Sequence, residues 1–162
     1  MLMMFVYGFF ILFAGQNMIS HALFQSAQSL SLDSYSLEVL GYEGEQPTME
    51  EMANAWGNSL FASSPYYSTD KKWYSTQKFH MNTVIKDRFI GYLVGENPDD
   101  ADDLLDYVGV ENGLEGFDFT ASEVEDGYLT LTVNYQQKFL FDFGDNVLID
   151  MEQTVKVKMW GL

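Results

Sequence analysis

The chain contains no cysteine, and this absence excludes several kinds of site at once. Without thiols there is no disulfide scaffold, no thiolate metal site and no cysteine nucleophile. Only two histidines occur, His21 and His80, which is too few for a three-histidine zinc site. Basic residues are scarce: 8 Lys and Arg stand against 24 Asp and Glu, for a formal net charge of −16. A surface this acidic repels phosphate backbones, so nucleic acid is not an expected partner.

Charge is missing altogether from the start of the chain, because the first charged residue is Asp33. What is present there is apolar: residues 1–14 are MLMMFVYGFFILFA. The acidic residues and all the basic ones follow this head. The asymmetry predicts two parts, an N-terminal membrane-anchor and assembly helix over 1–40 and an extracytoplasmic α+β domain over 41–162.

The apolar head is predicted to contact a lipid bilayer over residues 1–24. A spanning helix needs about 20 mostly apolar residues, and a secretory signal peptide fits poorly because no positive segment precedes the apolar run. The alternative is a soluble protein in which the head is a buried core helix. The residues expected to anchor the chain or to pack against other helices are Phe5, Phe9, Phe10, Ile11, Leu12, Phe13, Asn17, Ile19 and Leu23.

After residue 14 the head gains polar residues, yet apolar residues recur at helical spacing, which predicts one buried stripe. The stripe consists of Ile19, Leu23, Ala27 and Leu30. We therefore expect one helix from about residue 2 to about 39, ended by Gly41. Two helices with a break near Gly15 are the alternative.

The position of the basic residues predicts an orientation. No Lys or Arg flanks the head, and the first one in the chain is Lys71. The positive-inside rule therefore supplies nothing that would hold the body in the cytoplasm. We expect a single-pass protein of the cell membrane with its C-terminal domain outside.

The first part of the body is predicted to be helical. Helices are expected over 49–61, where Thr48 begins a capping box, over 76–94, and from Pro98 onward. A turn-rich linker over 41–47 and an aromatic loop over 62–74 connect these segments. In the second helix, the side chains expected to face inward are Phe79, Val84, Ile85, Phe89, Tyr92 and Leu93.

The last part of the body is predicted to be an antiparallel sheet over 116–160, because the apolar period changes from 3.6 to 2. The first strand is expected to alternate through Phe117, Phe119 and Ala121, and Asp126-Gly127 is a tight-turn dipeptide. Further strands are expected over 128–139 and 147–160, with turns between them.

In the last strand the inward row includes Val147 and is interrupted by Gln153, which we interpret as a bulge. The predicted fold class is α+β. A long N-terminal helix is followed by helices packed on an antiparallel sheet of three or more strands, whose other face is exposed to solvent.

No residue pattern predicts catalysis or a cofactor, and GxSxG, HExxH, P-loop and GxGxxG motifs are absent. Glu123, Glu125 and Asp126 lie near a predicted turn without a base or nucleophile pattern beside them. An acidic run suits the positive end of a helix dipole and lacks the Gly and Glu of an EF-hand loop, with a looser calcium site as the alternative. The run is Asp99, Asp100, Asp102, Asp103 and Asp106.

The segment from Gly127 to the C-terminus resembles the end of TadE-like proteins of Gram-positive bacteria. The first shared feature is a "vxYxxk" strand ending at Lys138, and the second is a Phe-rich turn over Phe139–Gly144. The third is a final "Q-x-V-x-V-x-x-W" strand. The matching residues in the two strands are Val133, Tyr135, Lys138, Gln153, Val155, Val157 and Trp160.

The resemblance implies a pilin-like fold and the role of a minor pilin or pseudopilin in a tight-adherence (Tad) system, a branch of type IV pili. The implied partners are other Tad pilins and pseudopilins. Two departures are visible: no Glu follows Gly8 as a prepilin peptidase site requires, and Trp160 is followed by Gly instead of the family's Thr. A membrane-anchored extracellular binding module without a pilus role is the alternative.

Overall fold

The computed structural model describes residues 2–39, 73–75, 78–94, 98–139 and 147–160. Its elements are α1 (Leu2–Val39), α2 (Lys78–Val94), α3 (Pro98–Tyr107), β1 (Glu123–Glu125), β2 (Tyr128–Lys138) and β3 (Leu148–Lys158), with short 3-10 turns at Trp73–Ser75 and Gly113–Gly116. The α+β prediction is confirmed, with a long N-terminal helix, further helices and a three-stranded antiparallel sheet. The predicted linker 41–47, the helix over 49–61, residues 62–72 of the loop and the turns within 140–146 lie outside the described residues.

The sheet is a meander in the order β1-β2-β3, and both strand pairs are antiparallel. The predicted Asp126-Gly127 turn joins β1 to β2, with positive φ angles of 52° and 75°. Two positive φ angles define a type I′ hairpin turn, which Asp-Gly adopts readily. β2 and β3 pair without interruption, so the bulge predicted at Gln153 is wrong. Gln153 pairs with Val133 and points inward because its side chain bonds to α1.

The first predicted strand is only partly regular. Phe117 and Phe119 are buried, as the alternation predicts, but Ala121 is exposed. The Asp118 carboxylate accepts hydrogen bonds from the backbone N–H and the hydroxyl of Thr120, at 2.9 and 3.0 Å. This local turn competes with strand pairing. Regular pairing therefore begins only at β1, and the prediction for Ala121 is wrong.

The long helix runs unbroken through Gly15, so the alternative of two helices is wrong. Gly15 is buried because the body lies against it. A Cβ atom there would lie 2.8 Å from the side-chain nitrogen of Gln137 and 3.1 Å from Cβ of Val108. The missing side chain therefore permits a close approach of the body to α1 and does not mark a bend.

The inner face of α1 and the body share one apolar core. All four residues of the predicted stripe, Ile19, Leu23, Ala27 and Leu30, are fully buried. They belong to the same cluster as Ile85 and Phe89 of α2 and the inward row of β2, which comprises Leu129, Leu131, Val133 and Tyr135. A helix that contributes this many buried side chains is part of the folded domain, whatever its N-terminal end contacts.

Two side chains predicted to face inward do not. Phe79 is 83% exposed, because burial on α2 begins at Met81 and the first turn lies beyond the core. Val84, Ile85 and Phe89 are buried as predicted, and Tyr92 and Leu93 are half-buried. Val147 is also exposed, because it precedes the first residue of β3. At both positions the apolar spacing of the sequence continues beyond the part of the element that packs against the core.

Neighbouring residues on opposite faces of α1 give a direct test of this core. Leu23→Ala is expected to lower the free energy of unfolding by about 2–5 kcal/mol, because it leaves a cavity in the core. Phe24→Ala is the matched control, since Phe24 is 47% exposed and is expected to change stability by about 0.5 kcal/mol or less. The measurement is urea unfolding of the full chain in mild detergent. Equal effects of the two changes would contradict the shared core.

Candidate membrane and assembly surface

The first nine residues of α1 form an exposed apolar segment. Every large side chain from Leu2 to Phe10 is exposed, and Gly8 is buried. Over Leu2–Asp33, α1 is long and apolar enough to cross a membrane by length and composition, a property that buried core helices share. An apolar surface of this size marks a site of contact with lipid or with protein.

The body limits the length of α1 over which every large side chain is exposed. Ile11, Leu12 and Gly15 are buried against it, so the uncovered segment ends near Phe10. Nine residues correspond to about 14 Å of helix at 1.5 Å per residue. The hydrocarbon core of a bilayer is about 30 Å thick. In this docked arrangement, the described chain therefore presents about half of the length that a full span needs.

The predicted anchor and packing residues divide between two faces of α1. The exposed ones are Phe5, Phe9, Phe10, Phe13 and Asn17. The buried ones are Ile11, Leu12, Ile19 and Leu23. The exposed side chains are accessible to lipid or to another helix, although the rings of Phe5 and Phe9 also pack against Phe139 of the body. The buried group contacts the body itself.

An exposed row of residues, which we term the outer stripe, follows the side of α1 opposite the body. It comprises Phe10, Ala14, Asn17, His21, Phe24, Gln28 and Leu32, all of them exposed. The steps along it are three or four residues, the spacing at which a helix presents one seam to a partner helix. The outer stripe carries no Asp, Glu, Lys or Arg. It is thus suited to helix–helix packing in an apolar environment.

Side-chain amides attach the sheet to the backbone of α1. The Gln153 side-chain nitrogen donates to the carbonyl oxygen of Gln16 at 3.3 Å, and the Ser20 hydroxyl donates to the Gln153 side-chain oxygen at 2.7 Å. One turn earlier, the Gln137 nitrogen lies 3.4 Å from the carbonyl oxygen of Leu12 and 2.8 Å from that of Val108. These hydrogen bonds fix the position of the sheet along the axis of α1.

Tyr135 lies beneath this junction. Its hydroxyl accepts a hydrogen bond from the Gln153 side-chain nitrogen at 3.0 Å, and its ring packs against Phe117. Burial raises the pKa of Tyr135 from 10.0 to about 12, although the Gln153 bond acts in the opposite direction. The tyrosine therefore stays neutral in the folded protein at pH values where an exposed tyrosine ionises.

The family-like C-terminal motif thus occupies the surface that faces α1. Val133 and Tyr135 are buried, and Val155 and Val157 are half-buried. Lys138 lies at the end of β2 and pairs with Glu111 at 2.5 Å, and this hydrogen bond raises the pKa of Lys138. Trp160 is exposed beyond the end of β3. Most of the motif therefore serves the docking of sheet on helix.

A buried ion pair connects α1 to α2. The Arg88 guanidinium donates to the Asp33 carboxylate at 2.7 Å and also bonds to the Ser29 hydroxyl. Arg88 is fully buried and Asp33 nearly so. Two charges removed from water in this way are tolerated because each neutralises the other. Asp33, the first charged residue of the chain, is thus a partner of the body.

Sequence reasoning missed Arg88, Gln137 and the inward role of Gln153. The sequence position of each of these residues indicates that its side chain faces inward. Arg88 is the one arginine in the chain and falls on the helical face of Ile85 and Phe89. Gln137 and Gln153 continue the inward parity of their strands. A polar residue in an apolar row predicts a buried hydrogen bond as readily as a bulge.

The acidic residues show no metal centre within the described parts of the chain, where no group of three or more His, Asp or Glu is placed to hold an ion. Asp102 accepts a hydrogen bond from the backbone N–H of Leu114 at 2.9 Å, which connects α3 to the following turn. Glu123 and Glu125 are exposed on β1, and Asp126 is in the hairpin turn. These positions agree with ordinary surface and turn roles.

Comparison with protein-family models, with curated proteins and with solved structures gives no match. The resemblance to TadE-like proteins therefore stays a prediction that depends on the C-terminal residues and the apolar head.

The loss of stability at alkaline pH tests whether Tyr135 is buried. Folding raises the pKa of Tyr135 from 10.0 to about 12. The contribution of the buried, neutral Tyr135 to the free energy of unfolding is therefore fully present below about pH 10 and is lost as the pH rises towards 12. Tyr135→Phe removes this ionisation, so the variant is expected to lose less stability than the wild type between these pH values. The measurement is urea unfolding at a series of pH values, with the exposed Tyr128→Phe as control. A Tyr135→Phe variant with the wild-type pH profile would contradict the assignment.

The ion pair is tested by removing one charge and then both. Arg88→Met leaves the Asp33 carboxylate buried and alone, which is expected to cost about 3–5 kcal/mol of stability. Adding Asp33→Leu removes the uncompensated charge and is expected to restore most of the loss. Urea unfolding of the three proteins in detergent measures both effects. If the Arg88→Met variant is as stable as the wild type, the ion pair is not buried in solution.

Proposed function

We propose that this chain is a membrane-anchored, TadE-like minor pilin or pseudopilin, a structural or assembly component of a Tad-type pilus. The observation that carries the proposal is the division of α1 into two faces. The inner face belongs to the core of the body, while the exposed surface from Leu2 to Leu32 carries no charge. A surface helix of a soluble domain normally has charged residues on its outer face.

Anchoring follows from the N-terminal end of α1. A charge-free apolar helix enters lipid without burying an ionised group, which is the largest cost of insertion. In the docked form, residues 2–10 are available for insertion. The single-pass form places residues 1–24 across the bilayer and the C-terminal domain outside. This form requires the body to release α1 as far as residue 24. The first Lys or Arg along the sequence is Lys71, well after α1, and this spacing supports the outward orientation.

The outer stripe supports the assembly part of the proposal. Its regular spacing matches a helix–helix seam, and Asn17 and His21 supply polar groups for lateral hydrogen bonds between helices. A pilus subunit uses such a helix twice, first in the membrane and then against neighbouring subunits. The charge-free stripe suits both environments, since neither one solvates an isolated charge.

The test exploits the absence of cysteine from the chain. A single His21→Cys change places a thiol on the outer stripe, and Lys156→Cys places one on the exposed face of β3 as the control. In the native host, we expect the protein to resist an alkaline wash of the membranes and to be cleaved by external protease. Oxidation is expected to join two copies of the chain through position 21 and not through position 156. A photo-activated cross-linker attached to the thiol is expected to join position 21, and not position 156, to pilins.

The outcomes separate the alternatives. A membrane-bound protein without any cross-link at position 21 would favour an anchored binding module over a pilus component. A protein that the alkaline wash releases would contradict the anchoring itself and favour a soluble protein with a core helix. Deleting residues 1–32 is unsuitable as a test, because it removes Ile19, Leu23, Ala27 and Leu30 from the core.

A further inference from the structure

Exposed apolar side chains surround the place where the N-terminal end of α1 leaves the body. We call this group the apolar rim, and it consists of Leu104, Tyr107, Phe139, Val147 and Leu148. Phe139 is half-buried and the other four are exposed. Backbone pairing brings the segments that carry this group together: the backbone N–H of Phe139 bonds to the carbonyl of Val147, and the next residue, Leu148, pairs with Lys138. The Gly109 carbonyl, which follows α3, accepts a hydrogen bond from the Lys138 N–H.

Two residues of the apolar rim, Phe139 and Tyr107, contact the uncovered segment of α1 directly. The Phe139 ring packs against Phe5 and Phe9, with ring centroids 5.5 and 5.3 Å apart. The hydroxyl groups of Tyr7 and Tyr107 lie 2.8 Å apart. The rim is therefore level with residues 5–9 of α1. Whatever surrounds these residues also reaches the rim.

We infer that the apolar rim is a lipid-contacting surface, so that the body rests on the membrane while still docked on α1. The inference deepens the proposed anchoring and depends on it. Residues 2–10 enter the adjoining leaflet to a depth of about 14 Å, half of the hydrocarbon thickness. The rim, which is level with residues 5–9, then lies just below the boundary between headgroups and acyl chains, close to the depth at which tyrosine and other aromatic side chains are favoured.

The docked form keeps interactions that a full span would break. If residues 1–24 crossed the bilayer with the body outside, the amides of Gln137 and Gln153 would lose the carbonyls of Leu12 and Gln16. The buried Val133 and Tyr135 would lose part of the cover that α1 provides. Shallow insertion of the docked chain leaves these contacts intact and covers the exposed rim.

The charges near the apolar rim indicate which lipids it prefers. Asp103 and Asp106 are exposed on α3, and Glu111 already neutralises Lys138. Anionic headgroups repel such a surface. Contact therefore depends on apolar side chains. We expect it to be stronger on zwitterionic than on anionic vesicles, insensitive to salt on the zwitterionic ones, and strengthened by salt on the anionic ones.

Environment-sensitive labels on single cysteines test the inference. Leu104→Cys and Val147→Cys place a label on the rim, and Phe5→Cys places one on the uncovered segment. Tyr128→Cys is the matched control, because Tyr128 is 40% exposed against 43% for Leu104. It lies at the opposite end of β2, about 30 Å along the strand. The full-length proteins are reconstituted in phosphatidylcholine vesicles and quenched either by lipid-borne nitroxide or by aqueous iodide.

The expected result is several-fold stronger lipid-borne quenching at positions 5, 104 and 147 than at 128, with the reverse order for iodide. Lipid quenching at position 5 together with iodide quenching at 104 and 147 would overturn the rim inference while leaving the anchor intact. Iodide quenching at position 5 as well would overturn the anchoring itself. Labels at 104 and 147 that neither quencher reaches would show that a second protein copy covers the rim, which also overturns the inference.

Discussion

The docking of the sheet against one face of α1 is the constraint on which the rest of the structure depends. Because Ile19, Leu23, Ala27 and Leu30 are fully buried, the helix cannot leave the body without opening the core. This attachment determines which side of α1 is exposed, where the uncovered N-terminal segment begins, and how far the body stands from that segment. The proposed membrane and assembly surfaces both depend on these three properties.

The side-chain amides of two glutamines define where along α1 the sheet docks. Helix carbonyls at positions 12 and 16 already accept backbone hydrogen bonds, and each has a second lone pair that a side-chain amide reaches. Gln137 of β2 and Gln153 of β3 use these two carbonyls, one helical turn apart. Apolar packing alone permits sliding along a helix, since neighbouring apolar turns are similar. Buried polar bonds remove that freedom because a misplaced amide loses its partner.

Several elements were predictable because they depend on neighbours in the sequence. The helical stripe of α1, the alternation of β2 and the Asp126-Gly127 turn each follow from local periodicity or from backbone preference. The errors share a different cause. Phe79 and Val147 keep the correct period but lie beyond the packed surface. Ala121 lies in a turn that the backbone N–H of Ser122 closes by bonding to the carbonyl of Phe119. Periodicity identifies a face, whereas burial needs an opposing surface.

By itself, the sequence determined that the chain has a charge-free helical head, an acidic α+β body and no means of forming thiol or three-histidine sites. These properties depend on composition and on short-range spacing. The tertiary structure decided which head residues contact the body, that Arg88 meets Asp33 across 55 positions, and that the apolar rim lies beside Phe5 and Phe9. Such pairings join segments far apart in the chain, and their free energy depends on burial, which no local pattern specifies.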